Sequence, residues 1–340
     1  MAVDGGLERF ARRDLDEAQA AVAGLVGTEL EISVCMNENG MSTVTDPRTA
    51  TVTPRPGVTS VEQLLAMEQD SWGRCDQRIL ILWGHGDEPQ PDANAALEAR
   101  TVPEPGAVVD IFRRHSEWGL PTVIGYDACT MALADVVWEL RLITEARPAE
   151  QMPVVVASQI DEPADGWPYR TLLGRLIQDF DIDANSFASI VVDTYAEQVK
   201  AAKDIYSIGA FDPSAVTGLK DAVSSLVSQQ LGLRPKPRPE PIFTAIEVAQ
   251  WPGVGDSTYD VKRLADLLVP GPLAGTIATA LGPLTVAHRT DDDHRVFGGL
   301  SVVLPSETDA SGADKLSSQF ARESQWLRFW QECIAGQSLQ

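Results

Sequence analysis

The stretch Arg78-Ile79-Leu80-Ile81-Leu82-Trp83-Gly84-His85-Gly86-Asp87-Glu88 sets the reading of the whole chain. A continuous apolar run ends in Gly-His-Gly, and charge begins directly after it. Such a run, bounded by turn formers, reads as a strand buried on both faces. A second one, Thr122-Val123-Ile124-Gly125-Tyr126-Asp127-Ala128-Cys129, follows Pro121. Helical periodicity returns at 106–118 and from Thr130 to about Arg147. Further strands are expected at 153–159 and 204–212, separated by helices at about 168–179 and 185–203, with another helix from Pro213. This alternation predicts an α/β chain with a parallel sheet covered by helices on both faces. Chemistry in such sheets gathers at the carboxyl ends of the strands, and consecutive strands are often neighbours. His85 and Cys129 stand just past two such ends.

Outward from this centre, residues 6–24 read as a helix and 29–36 as a strand, with a hairpin or loop over 37–59. Ser60 is placed to cap a helix reaching Trp72, with Gln63 completing a capping box. A loop rich in Asp, Glu and Pro is expected from the end of the first buried strand to about residue 105. The alternating prolines of 232–241 mark an extended linker. They divide a core at 1–231 from a C-terminal part at 242–340, which is either a smaller subdomain or an extension of the sheet. Within that part the pattern predicts strands at 242–250 and 299–304, helices near 258–268 and 272–281, and a final helix near 314–334.

The chain has 340 residues and a net charge of −22, with 44% apolar residues. Its mean hydropathy of −0.09 is that of a water-soluble globular protein. A surface this acidic repels nucleic acid and anionic membranes, so neither is expected as a partner. No apolar run approaches the roughly 18 residues of a membrane span. The N-terminal stretch carries acids throughout and has no apolar signal core, so the expected compartment is the cytoplasm, with reduced thiols. The four cysteines, at 35, 75, 129 and 333, form no CxxC pair.

A cysteine nucleophile works as the thiolate, and a nearby imidazole supplies its base or ion-pair partner. Attack on an amide builds charge on the carbonyl oxygen, which two backbone N–H groups must hold. Gly86 and Cys129 are the natural donors, because glycine permits close approach of backbone and substrate. The helix expected directly after Cys129 would lower its thiol pKa with its positive end. Taken singly, a cysteine at a strand end is more often packing than nucleophile, and a histidine between glycines more often part of a turn. A metal-dependent hydrolase built on His85, Asp127 and a distant acid is a competing reading, but no His-x-x-x-His spacing supports it. His115, His288 and His294 show no metal-ligand spacing either.

The segments LILWGHG, VIGYDACTMALADVVWEL and VVVASQIDEPADGWPY together resemble the clostripain family of cysteine peptidases, within the larger caspase-like clan. The matching motifs are His85-Gly86, Asp127-Ala128-Cys129-Thr130-Met131, Ser158-Gln159 and Gly166-Trp167-Pro168-Tyr169. Asp135 and Glu139 are both available as the family's helix acid, and DSTYDVKRLADLL and GGLSVVLP resemble its C-terminal Asp-Leu helix and Gly-Leu-Ser strand. The resemblance is strong over 79–170 and weaker to about 305.

It implies a caspase-like fold with a mostly parallel central sheet, a smaller C-terminal α/β extension, and His85 and Cys129 as the catalytic dyad. It also implies that Asp127 helps form the pocket for the residue before the cut, with preference for Arg or Lys. A partly desolvated carboxylate gains most from a guanidinium partner, which agrees with that preference. Asp161 and Glu162 are further candidates for the pocket, and Trp167 for its wall. Arg100, between the His and Cys strands, is a candidate self-cleavage site, since some members mature by such a cut.

No cofactor is expected, although some relatives use calcium. The acidic run Asp291-Asp292-Asp293 lacks EF-hand spacing and reads as a solvated loop. The expected partners are protein or peptide substrates, together with a possible activating partner. The chain departs from the family after Gly86, where Asp87-Glu88-Pro89 replaces further glycines. That departure leaves a second reading, an inactive relative that binds peptides in the same cleft.

Overall fold

The computed structural model describes residues 2–3, 7–23, 25, 30–38, 41–55, 60–68, 72, 75–90, 101–103, 105–145, 147, 150–232, 248–249, 258–268, 272–303, 319–329 and 331–332. Its strands are β1 (Ala2–Val3), β2 (Val34–Glu38), β3 (Met41–Asp46), β4 (Thr51–Arg55), β5 (Ile79–Trp83), β6 (His85–Gln90), β7 (Thr101–Pro103), β8 (Val123–Asp127), β9 (Val154–Ser158), β10 (Ser207–Phe211), β11 (Thr258–Asp260), β12 (Thr285–Thr290) and β13 (Ser301–Val303). Its helices are α1 (Glu8–Val22), α2 (Val61–Met67), α3 (Pro105–Arg114), α4 (Ala134–Glu145), α5 (Tyr169–Gln178), α6 (Ala184–Ala202), α7 (Val216–Gly232), α8 (Val261–Leu268), α9 (Pro272–Leu284), α10 (Gln319–Glu323) and α11 (Trp326–Phe329).

The central sheet has the order β12-β10-β9-β8-β5. The pairs β5/β8 and β8/β9 are parallel, so the two strands leading to His85 and Cys129 lie side by side. Every residue of β8, β9 and β10 is buried, which accounts for their uninterrupted apolar sequences. Alternate residues face opposite layers. Ile124, Tyr126, Val155 and Ala157 join a core built with α3, α4, α7 and α9. Val123, Val154 and Val156 join the opposite core, built with α5 and α6.

Five features differ from the sequence reading. Strand β10 runs antiparallel to β9, because two helices rather than one intervene and the chain re-enters the sheet at the end it left. Residues 85–90 form a strand paired with 101–103, where a loop was expected. The helix capped by Ser60 stops at Met67, short of Trp72, although Ser60 Oγ does accept the Gln63 N–H at 3.1 Å. Strand β12 was not foreseen: it is an edge strand, mostly half-buried, and follows α9 directly, after Gly282-Pro283. The final helix is broken at Gln325, whose φ is +60°.

The expected strand over 29–36 forms later, as β2, in a four-stranded sheet β1-β2-β3-β4. The linker at 232–241 lies outside the described residues apart from Gly232, which ends α7. The strand expected at 242–250 also lies outside them, except 248–249, which are helical.

Candidate active site

Strands β5 and β8 pair with Trp83 opposite Asp127, so His85 and Cys129 each follow by two residues. The Gly84 N–H donates to the Asp127 carbonyl at 3.3 Å and keeps the departing chains together. His85 is exposed and opens β6, while Gly86 is buried. A side chain at Gly86 has no room, because a Cβ there would overlap the Cys129 carbonyl oxygen. The second glycine of Gly-His-Gly is therefore explained by a close approach of two backbones.

Cys129 is half-buried. The helix expected to begin at Thr130 starts only at Ala134, so no helix N-terminus abuts the sulfur. A left-handed Thr130, with φ +53°, turns the chain after Cys129 instead, and its N–H is held by the Ile160 carbonyl at 3.1 Å. The polar support of the sulfur comes from the Glu162 backbone N–H, 3.3 Å from Cys129 Sγ.

Asp127 is buried, 3% exposed. Its Oδ2 accepts the Tyr169 hydroxyl at 2.7 Å and the Trp167 N–H at 3.3 Å. Gly166 turns above it with φ +59°, and a Cβ there would stand 3.2 Å from both carboxylate oxygens. The Glu162 carboxyl faces Asp127 and accepts Trp167 Nε1 at 3.3 Å. Burial, and then the Asp127 charge, hold the Glu162 carboxyl well above the usual carboxylate range. Burial also raises Asp127, against the pull of its hydrogen bonds from Glu162, Tyr169 and Trp167. The two acids thus titrate as a pair that holds its shared proton above the range of a lone carboxyl.

Of the other expected residues, Asp161 is exposed, and Trp167 is a core side chain, 1% exposed. Arg100 lies outside the described residues. In the acidic run, Asp291 accepts the Asp293 N–H at 3.0 Å and pairs with His294 at 2.8 Å, while Asp292 pairs with Arg295. Two of its three carboxylates are thus paired within the turn.

One member of the buried cluster was missed. Asp14 lies on the buried stripe of α1 with Ala11, Ala18 and Val22, and α1 packs over Trp83 and Tyr169. An acid at that position of an otherwise small and apolar stripe was the available signal. Arg13 bonds Asp14 and also Asp165, one residue before Gly166. Burial, with Asp127 nearby, pushes the Asp14 carboxyl up to about 8. A carboxyl raised in the folded state favours folding fully at low pH and loses that contribution as pH rises toward 8. Asp14→Asn is therefore expected to raise stability at pH 8 by about 1–3 kcal/mol and to change little at pH 4. Thermal melts at the two pH values check this, and a lower Tm at pH 8 would refute it.

The sequence profile of the clostripain family (Peptidase_C11) matches residues 1–236. The chain belongs to that family of cysteine peptidases, and its fold is the caspase-like α/β fold. It resembles an inactive zymogen C11 protease from Parabacteroides distasonis, with a TM-score of 0.69, 15% identity and 95% of each chain covered. It also resembles a secreted C11 cysteine protease from Bacteroides thetaiotaomicron in complex with an irreversible peptide inhibitor. There the TM-score is 0.70 at 15% identity, over 96% of this chain and 97% of that one. A further structure of a secreted C11 cysteine protease from the same organism, "iotapain", gives 0.72 at 14% identity, over 95% and 97%. Comparison with curated proteins returned no match.

Proposed function

We propose that this peptidase cuts after Arg or Lys, with Cys129 as nucleophile and His85 as its proton carrier. The observation that carries the reading is the parallel β5/β8 pair. It brings Gly86 against the Cys129 backbone and ends on the buried Asp127, which the Glu162 carboxyl faces from the segment after β9. In the reaction, the Cys129 thiolate bonds to the scissile carbonyl carbon, and the carbonyl electrons move to oxygen. The N–H groups of Gly86 and Cys129 hold that oxyanion. Collapse breaks the C–N bond, and protonated His85 gives its proton to the leaving amine. A thioester remains. Water then attacks it while His85 takes a proton, and the new acid and the free thiolate separate.

The basic preference rests on the acid pair. A guanidinium or ammonium arriving between Asp127 and Glu162 replaces their shared proton with a permanent positive charge. It gains charge-assisted hydrogen bonds in a site screened from water. Asp161 and Trp167 contribute at the edge of the pocket and beneath it. Maturation by a cut after Arg100 belongs to the same reading, because the enzyme's own connection between β6 and β7 then presents a matching basic residue.

The test is a fluorogenic peptide panel varying the residue before the cut, combined with mass analysis of the incubated protein. Cleavage after Arg and Lys supports the reading. Cleavage after acidic or apolar residues alone overturns the pocket assignment. A protein that captures basic peptides without cutting them, before or after any processing, would be a binding relative.

A further inference from the structure

Two motifs have no role in the chemistry above: Ser158-Gln159 at the end of β9, and the C-terminal pair Asp260 and Ser301. The fold brings them together in one cluster with Ser207. All five side chains are essentially inaccessible, at 0% exposure. Gln159 Nε2 donates to Asp260 Oδ2 at 2.7 Å and to Ser301 Oγ at 3.0 Å. Gln159 Oε1 accepts from Ser207 Oγ at 2.9 Å. Asp260 also accepts the N–H groups of Arg263 and Gly298, each at 2.7 Å. Buried polar groups are costly unless each is partnered, and a fully partnered cluster fixes its members in place.

What it fixes is the segment that touches Cys129. Ser158 Oγ donates to the Ile160 carbonyl at 2.9 Å, and that carbonyl holds the Thr130 N–H at 3.1 Å. The Ser158 carbonyl takes the Ala132 N–H at 2.7 Å, and the Ala132 carbonyl takes the Ser301 N–H at 2.9 Å. The run then ends at the Glu162 N–H on Cys129 Sγ. The sulfur and the turn that follows it are thus anchored to one buried cluster, two of whose five members come from the C-terminal part of the chain.

We infer that Gln159 and Asp260 are positioning residues for the Cys129 nucleophile, through which the C-terminal part of the chain holds the reactive sulfur in place. The inference rests on Cys129 being that nucleophile. Neither residue touches substrate. Their loss should therefore lower kcat and leave KM nearly unchanged, because a misplaced nucleophile weakens attack and not binding.

The test compares wild type, Gln159→Glu and Asp260→Asn on an Arg-ended peptide, with kcat and KM read separately. Each single variant is expected to lose about 10²-fold in kcat. Thermal melts run alongside, and Ser301→Ala, which removes one hydrogen bond only, serves if a single variant does not fold. Folded variants with wild-type kcat, or losses that fall on KM and leave kcat intact, overturn the inference. Cys129→Ala is assayed in parallel. Activity surviving in it would defeat the nucleophile reading itself, whereas an inert Cys129→Ala beside fully active pair variants defeats only the positioning role.

Discussion

Cys129→Ala is expected to abolish peptide hydrolysis, lowering kcat by at least about 10⁴-fold while the protein stays folded. The sulfur is half-buried and accepts the Glu162 N–H, so a methyl in its place removes that bond without opening a large cavity. His85→Ala is expected to fall nearly as far, because a nucleophile and its proton carrier act as a unit and their losses do not add. His85 is exposed at the start of β6, which makes its replacement structurally mild. The double variant should be no worse than Cys129→Ala alone. Single-turnover assays with an Arg-ended peptide, beside thermal melts, check all three. If hydrolysis survives in Cys129→Ala and falls in another cysteine variant, the nucleophile lies elsewhere.

The sequence made the neighbourhood of the two residues legible because β5 and β8 read as unbroken apolar runs, β8 fully buried and β5 half-buried at the sheet edge. Their adjacency followed from the general tendency of consecutive parallel strands to pair. What the sequence could not show was direction. The reversal of β10 depends on how many helices intervene, and β12 carries too mixed a pattern to announce itself at the sheet edge. The electrostatic setting of the sulfur was misplaced for a related reason. Periodicity begins at Thr130, but a left-handed residue there delays the helix to Ala134. Long-range polar contacts were the least legible. Asp14 meets Asp127 across 113 positions of chain, and Gln159 meets Asp260 across 101. No local pattern encodes either encounter. Only the chemical oddity of an acid on an apolar helix face, or of a polar residue closing an apolar strand, hints at them.

Asp127→Asn should collapse the selectivity of the enzyme. Removing one partner of a buried ion pair costs about 2–5 kcal/mol, so kcat/KM for Arg before the cut is expected to fall by about 10²–10³-fold. A neutral isostere such as citrulline at the same position should change far less, because it never formed the ion pair. Glu162→Gln should cost less for Arg, since Asp127 remains, but it should alter the pH dependence. In the empty site the pair holds a proton above the usual carboxylate range, chiefly through burial. A cationic side chain must displace that proton, so binding of basic substrates strengthens as pH rises through the raised titration of the pair. KM for the Arg peptide should therefore fall with rising pH in the wild type, and this dependence should flatten in Glu162→Gln. The citrulline peptide should show no such trend in either protein. A wild-type KM independent of pH, or equal losses for Arg and citrulline in Asp127→Asn, would mean that the acid pair is a structural tie among Tyr169, Trp167 and α1, and that substrate charge is read elsewhere.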